Sequence, residues 1–218
     1  MAKKIAIIDT ETTGLVSAGV VEVAYLEIDE QLKVVSELCV RVNPERPVEP
    51  GAFAAHGISD SDVAGCPTLA EVAAACNLSA ITHAVAHNYS FDARMLKGHI
   101  SPTHSLCTLA LARQYIKGTT NHKLETLKAE LGFPDQKSHS ALGDVYTTLD
   151  LLRHVRDLAG VDLQTLFERA SAPKIIHRIT FGKHKGKLVT GLPVGYRNWL
   201  LAQEGLESNL RYTLEKLK

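Results

Sequence analysis

The sequence lacks the features that mark zinc-binding, secreted and membrane proteins. Its four cysteines form no CxxC pair, and no histidine lies near them at the spacing of a zinc site. No apolar run approaches the length of a membrane span, and the first residues lead into strand-like sequence without the apolar stretch of a signal peptide. We therefore expect a reduced, cytoplasmic protein in which Cys39 and Cys76 are small core residues.

The chain also lacks a net charge of either sign, but its charges are unevenly distributed. The 24 Lys and Arg residues balance the 24 Asp and Glu residues, so the overall charge says little about partners. Residues 171–218 hold nine Lys or Arg against three Glu, a surplus of six positive charges that leaves residues 1–170 with a deficit of six. This asymmetry suggests a polyanionic partner, although a well-solvated basic end would have the same composition.

Internal repeats and low-complexity segments are absent too, so the 218 residues fit one domain, or one domain with a small appendage. Three strand-like segments with short connections favour an antiparallel meander, and Pro44, Pro47 and Pro50 then mark an extended loop. The predicted strands cover 3–8, 19–28, 33–42 and 81–86, and the predicted helices cover 68–76, 91–96, 109–115, 124–131 and 140–158. This order predicts an α/β fold in which helices flank a mixed sheet.

A domain boundary is expected at Ser171-Ala172-Pro173, where the charge balance changes. It separates a domain over residues 1–170 from a small basic extension over residues 174–218. The elements predicted in the extension are a hairpin of 175–181 with 187–192 and helices at 196–202 and 209–217. Trp199 is predicted to be a packing anchor for this extension.

The most informative feature is an acidic pair, Asp9 and Glu11, that ends the first apolar run. Because side chains alternate along a strand, both carboxylates project to one side and Thr10 to the other. Such close carboxylates repel each other unless a cation lies between them, and hard oxygen ligands favour Mg²⁺ or Mn²⁺ over zinc. The break at Thr12-Thr13-Gly14 puts the pair at the carboxyl end of a strand, where open α/β sheets bind ligands. We predict a catalytic metal site.

Further residues fit such a site. Asp92 follows the fourth strand, Asp144 lies near the start of the long helix, and His139 precedes Asp144 by five residues on the adjoining loop. Four carboxylates can neutralise the two cations needed for in-line attack on a phosphodiester, and a histidine can take the proton from the attacking water. Glu22, inside an apolar strand, is expected to be a structural acid with a partner. The predicted catalytic residues are Asp9, Glu11, Asp92, His139 and Asp144, and the four acids are the predicted metal ligands.

Three segments together resemble a known family. DTETTG at 9–14, AHNYSFD at 86–92 and HSALGD at 139–144 resemble the three motifs of the DEDD superfamily of 3′→5′ exonucleases, which includes DnaQ and RNase T. The histidine five residues before the last aspartate indicates the DEDDh branch. The resemblance implies an RNase H-like fold with a mixed five-stranded sheet.

The resemblance also implies a role for each catalytic residue. Asp9, Glu11 and Asp144 are expected to bind a first Mg²⁺ ion, and Asp9 is expected to bridge to a second ion that Asp92 supports. His139 is the expected general base.

Substrate contacts are predicted at Thr10, His56 and Asn88. The segment His56-Gly57-Ile58 resembles one that lines the nucleotide pocket of related exonucleases, but a helix that stops at its glycine would explain it equally well. His87 and Asn88 are expected to fix the loop before the second aspartate motif.

The extension contains FGKHKGK at 181–187, which, with the helix bearing Trp199, resembles the carboxyl-terminal segment of the bacterial exonuclease X class. This resemblance implies DNA as substrate and nucleic-acid contact by the extension. Its glycines let the backbone approach phosphates closely and its lysines supply charge, so Lys183 and Lys185 are predicted to bind substrate. Phe181 fits either stacking on a base or a place in the core of the hairpin.

These features predict an enzyme, a Mg²⁺-dependent 3′→5′ exodeoxyribonuclease that releases nucleoside 5′-monophosphates and acts in DNA repair, with Mn²⁺ as a substitute metal. The alternatives are an RNA exonuclease of the RNase T or oligoribonuclease type, a proofreading or interaction subunit of a polymerase, and an inactive nucleic-acid-binding module. The basic extension favours DNA, and the complete set of catalytic residues argues against an inactive module. A homodimer is consistent with the resemblance.

Overall fold

A computed structural model of the chain describes residues 3–134 and 140–217. These residues form two compact units, Met1–Ala170 and Ser171–Lys218. No helix within the described part of the chain is long and apolar enough to cross a membrane.

The first unit is built on one mixed sheet. Its strands are β1 (Ile5–Thr12), β2 (Val20–Ile28), β3 (Val34–Arg41), β4 (His83–Ala86) and β5 (His104–Cys107). The strand order is β3-β2-β1-β4-β5, with antiparallel pairing of β1, β2 and β3 and parallel pairing of β1, β4 and β5. This confirms the predicted mixed five-stranded sheet and places β1 at its centre.

Both faces of the sheet are covered. The helices of this unit are α1 (Pro50–His56), α2 (Asp60–Val63), α3 (Leu69–Ala75), α4 (Tyr89–Met95), α5 (Thr108–Tyr115), α6 (Leu124–Leu131), α7 (Ala141–Ala159) and α8 (Leu163–Ser171). One core lies between the sheet and α5 to α8 and includes Ile5 and Ile7 of β1. The opposite core involves α3 and α4 and includes Ala6 and Ile8. Alternate residues of β1 therefore face different helix layers.

Two expectations for this unit were wrong. The extended loop at the prolines ends at Pro50, which begins α1, because the fixed φ of proline suits the first turn of a helix. Cys39 is exposed rather than buried, since β3 is an edge strand with partners on one side only.

The second unit has a small core of its own. Its helices are α9 (Val194–Leu201) and α10 (Ser208–Glu215), and its buried residues are Ile179, Val189, Leu192, Leu200, Leu210 and Leu214. In place of the predicted hairpin, Arg178 and Leu188 form a single antiparallel bridge between segments that are otherwise turns. The prediction that Trp199 anchors the packing was also wrong, because its residue surface is 54% exposed while the adjacent Leu200 enters the core.

Candidate active site

Three carboxylates meet near the carboxyl end of β1. One oxygen each of Asp9, Glu11 and Asp144 lies within 4.8 Å of the others, and all three residues are half-buried. Asp9 and Glu11 continue the row of Ile5 and Ile7 that faces the α7 side of the sheet, and Asp144 lies in the first turn of α7. The strand period thus brings the predicted pair to the helix that carries the third acid.

The predicted break of the strand at Thr12-Thr13-Gly14 is confirmed. Strand β1 ends at Thr12, and Asp9 and Glu11 still pair with Ala24 and Glu22 of β2. The register shifts between Glu11 and Thr12, so regular pairing breaks immediately after the second acid. Both carboxylates are consequently held by the sheet rather than by a loop.

Asp9 experiences an unfavourable environment for a negative charge. Burial raises its pKa well above the ordinary value, and the charges of Asp92, Asp144, Glu11 and Glu22 raise it further. A bound divalent cation would offset this repulsion, because such an ion is often the largest local charge in a site. The donor set therefore fits a hard metal ion.

Asp92 lies on the other side of β1. Asp92 is a residue of α4 that is only 2% exposed. Its carboxylate accepts a hydrogen bond of 2.9 Å from the hydroxyl of Thr10, which faces away from Asp9 along the strand. Burial raises the pKa of Asp92 to about 7, although the Thr10 hydrogen bond opposes the change. Asp92 is not part of the cluster of Asp9, Glu11 and Asp144. Of the neighbouring charges, however, that of Asp92 raises the pKa of Asp9 the most.

Thr10 was predicted to contact substrate. The residue is buried and its hydroxyl donates to Asp92, so the side chain supports that carboxylate, and contact with substrate stays a prediction.

Glu22 connects β2 to the start of α7. Glu22 is only 5% exposed. Its carboxylate lies 3.2 Å from Nε of Arg41 and accepts a 3.1 Å hydrogen bond from the backbone N–H of Ala141. Ala141 is the first residue of α7, where a carboxylate satisfies a free N–H and complements the helix dipole. The expected partner of Glu22 is confirmed, and the contact fixes the helix three residues before Asp144.

Replacing Glu22 with alanine is expected to lower the free energy of unfolding by about 2 kcal/mol, because a buried N–H and Arg41 lose a charged acceptor. Glu22→Gln should lose less, since its carbonyl oxygen can still accept from Ala141. Glu27→Ala is the matched control, because Glu27 lies on the same strand in a more exposed, 3.6 Å pair with Lys4. Urea unfolding measures all three, and equal losses at Glu22 and Glu27 would rule out this role.

His139 lies outside the described residues, so its role as general base stays a prediction. The residue that follows it, Ser140, caps α7 by accepting a 3.2 Å hydrogen bond from the N–H of Gly143.

His56 is hydrogen-bonded to the last residue of β1. Its Nδ1 accepts from the N–H of Ile58 at 3.0 Å, which leaves Nε2 to donate to the carbonyl of Thr12 at 3.1 Å. Helix α1 ends at His56 and Gly57 follows with φ of +71°, so the predicted helix stop is confirmed. Contact with a nucleotide stays a prediction.

The loop before Asp92 is fixed by His87. Its ring nitrogens lie 3.0 Å from the Thr108 hydroxyl and 3.0 Å from the His122 carbonyl, as the prediction for this loop required. Burial lowers the pKa of His87 to about 4, so the ring is neutral at pH 7. The adjacent Asn88 is exposed and begins α4 in the left-handed conformation, at φ of +68°.

A cavity of about 460 Å³ opens beside Asn88 and is also lined by Arg113 and Lys123. Sequence reasoning had not singled out either cation, because no motif connects them to the aspartate loop. Lys183 and Lys185 are exposed residues of the second unit, and their contact with substrate stays a prediction.

A mixed sheet with carboxylates clustered near the carboxyl end of its central strand defines the class as an RNase H-like nuclease. The chain belongs to the RNase_T exonuclease family, whose model matches residues 6–152. The predicted family, and with it the prediction of a nuclease, is confirmed.

Relatives extend this result. The chain is 33% identical over 223 aligned residues to exodeoxyribonuclease 10 of Escherichia coli K12, an alignment that covers 96% of each protein. It is 31% identical to the DNA polymerase III subunit epsilon of the same strain, over 63% of this chain and 65% of that one. The match to the exodeoxyribonuclease thus spans both units.

Solved structures agree with the fold. A structure of exonuclease X in complex with 5′ overhanging duplex DNA has a TM-score of 0.66 and 32% identity, covering 75% of this chain and 98% of that one. A structure of exonuclease I shares the fold alone, with a TM-score of 0.63 at 18% identity over 77% of this chain and 43% of that one.

Proposed function

We propose that this chain is a divalent-metal-dependent 3′→5′ exonuclease that hydrolyses DNA and releases nucleoside 5′-monophosphates. The cluster of Asp9, Glu11 and Asp144 carries the proposal, because a nuclease of this family with three converging carboxylates has the donors that a metal-dependent reaction requires. A role in DNA repair is part of the same proposal.

The acidic residues divide into two groups. Asp9, Glu11 and Asp144 would hold one Mg²⁺ or Mn²⁺ ion, and Asp9 would share a second ion with Asp92, whose carboxylate Thr10 orients. Bound to these residues, two such ions would supply the charge needed to activate water and to stabilise the leaving oxygen of a phosphodiester. Strand β1 carries Asp9 and Glu11, the first turn of α7 carries Asp144, and α4 carries Asp92.

His139 would take the proton from the attacking water. A neutral imidazole suits this step because its ordinary pKa lies close to neutral pH. The position of His139 in the third motif supports the assignment, as does the short separation from Asp144 in the sequence.

DNA is the favoured substrate for two reasons. A relative that matches this chain over 96% of its length is named an exodeoxyribonuclease, and the basic second unit carries a surplus of six positive charges suited to a polyanion. An RNA exonuclease is the main alternative, since the catalytic motifs are common to both activities. The matches to polymerase epsilon subunits keep a proofreading role as a second alternative.

Digestion of end-labelled oligonucleotides tests the proposal. With Mg²⁺, 5′-labelled DNA should shorten stepwise and 3′-labelled DNA should release a labelled mononucleotide first. EDTA should stop both reactions, and excess Mg²⁺ should restore them. Matched RNA should be degraded more slowly than DNA, and an oligonucleotide blocked at its 3′ end is the control. Cleavage in EDTA would contradict metal dependence, and faster RNA cleavage would contradict the choice of substrate.

A further inference from the structure

The second unit carries an exposed surface of aromatic and basic side chains. Lys183, His184, Tyr196 and Trp199, here called the aromatic platform, line a cavity of about 780 Å³. The catalytic residues all lie in the first unit, so the platform is a separate feature of the chain.

The rings of the platform contact one another, with Tyr196 stacked on Trp199 and His184 tilted by 60° against Tyr196. Tyr196 and Trp199 are three residues apart on α9, and their ring centroids lie 5.4 Å apart with 22° between the planes. The His184 ring lies 4.4 Å from that of Tyr196. Trp199 remains 54% exposed even though Leu200 beside it is buried, so α9 turns its largest aromatic residue towards solvent. An indole held by a neighbouring ring and open to solvent can accept a further flat ring.

A lysine ammonium lies beside these rings. Lys183 Nζ lies 5.4 Å from the centre of the Tyr196 ring, and Lys185 and Lys187 are exposed on the same turn. The described residues that line the cavity include no acid. Of the three glutamates in this unit, Glu207 is engaged at the start of α10, where it accepts two backbone hydrogen bonds. The surface therefore complements an anion.

The turn that bears the lysines is fixed by its backbone. Gly186 donates to the carbonyl of Ile179 at 2.7 Å, and the N–H of Ile179 donates to the carbonyl of Lys187 at 3.0 Å. Gly182 and Gly186 have φ of +61° and +85°, a conformation that side chains disfavour. The lysines are thus presented from a defined turn beside the rings.

We propose that the aromatic platform binds an unpaired nucleotide of single-stranded DNA, with the base stacked on Trp199 and the phosphate near Lys183. Aromatic stacking together with a basic groove is the combination by which proteins hold single strands without regard to sequence. Inside a duplex both faces of a base pair are covered by its stacked neighbours, so only the two end pairs offer a face to the indole. The inference rests on the proposed function, because the second unit would bind the same DNA that the first unit hydrolyses.

Trp199 is the single tryptophan of the chain, so the tryptophan fluorescence of the protein reports on this position alone. The full-length protein in EDTA, which prevents digestion, should lose Trp199 fluorescence when titrated with a twenty-residue oligo(dT). A blunt duplex of the same length should quench it far less. Asp9→Ala should respond like the unaltered protein. No quenching by oligo(dT), or equal quenching by the duplex, would overturn the proposal.

Variants separate stacking from charge. Trp199→Ala should bind labelled oligo(dT) about 5- to 150-fold more weakly by anisotropy, and Trp199→Phe should fall between the two. Lys183→Ala should weaken binding and reduce the slope of log affinity against log salt by about 0.7, the value for one contact to a single strand. Lys216→Ala is the matched control, because Lys216 lies 5.5 Å over the ring of Tyr212, outside the cavity, and its slope should change less.

A small substrate distinguishes failure of this inference from failure of the proposed function. The Trp199 and Lys216 variants should still hydrolyse a nitrophenyl ester of thymidine 5′-monophosphate with Mg²⁺, because the residues proposed to carry the reaction all belong to the first unit. If hydrolysis persists but Trp199→Ala binds oligo(dT) normally, the platform is wrong and the exonuclease stands. If the unaltered protein never hydrolyses the ester or DNA, the proposed function fails whatever Trp199 reports.

Discussion

Replacing Asp9 with alanine is expected to lower the rate of DNA hydrolysis by at least about 10³-fold. Asp9 belongs to the cluster with Glu11 and Asp144 and is also subject to the charge of Asp92, so it is the carboxylate placed to serve both proposed ions. Steady-state digestion of end-labelled DNA measures the effect. A variant that keeps even a tenth of the normal rate in Mg²⁺ would refute the metal assignment.

The same substitution should leave the metal-free protein as stable as before, or more stable. A carboxyl group whose pKa is raised on folding favours the folded state while it is protonated, and this contribution is lost as the pH rises from about 4 through the raised pKa. Ionised Asp9 therefore destabilises the metal-free fold at pH 8, and alanine removes that charge.

Urea unfolding in EDTA at pH 8 measures this difference. Asp157→Ala is the control, because Asp157 lies on α7 in an exposed pair with Arg156 and should affect neither rate nor stability strongly. A large loss of stability in Asp9→Ala would mean that the lost activity reflects unfolding rather than a missing ligand.

Replacing His139 with alanine is expected to lower kcat by about 10²- to 10⁴-fold, the usual contribution of a general base. Metal binding should persist, since the four carboxylates are unchanged. The pH–rate profile should also lose the limb that reports the base, whereas a merely structural histidine would leave its shape intact. His99→Ala, which alters a histidine outside the three motifs, is the control. An unchanged profile would exclude His139 as the base.

Elements with strong local signals were predictable from the sequence. Helix α6 begins and ends at the predicted residues, and Gly132 ends it with φ of +69°. The capping box of Thr68 and Glu71 opens α3 as expected. The stop of helix α1 at Gly57 was one of two readings of the sequence, but its start was missed because Pro50 is compatible with both a loop and a first helical turn. The exposure of Trp199 was missed because packing of the whole unit, rather than the spacing in α9, decides which face is covered.

The candidate site shows the same division between local and distant information. Strand alternation alone placed Asp9 and Glu11 on one side, since it depends on neighbouring residues only. The hydrogen bond from Thr10 to Asp92 joins residues 82 positions apart, and the one from Ala141 to Glu22 joins residues 119 positions apart. No local sequence pattern predicts such pairings, so the hydrogen bonds that hold the two carboxylates could be identified only in the folded structure.

Anomalous diffraction from crystals of the protein soaked with Mn²⁺ and a nucleoside 5′-monophosphate tests the central claim most directly. We expect one manganese peak among Asp9, Glu11 and Asp144 and a second between Asp9 and Asp92, with the phosphate of the nucleotide bound to both ions. Manganese elsewhere on the protein, with none at the acidic cluster, would contradict the assignment of this site as the catalytic centre.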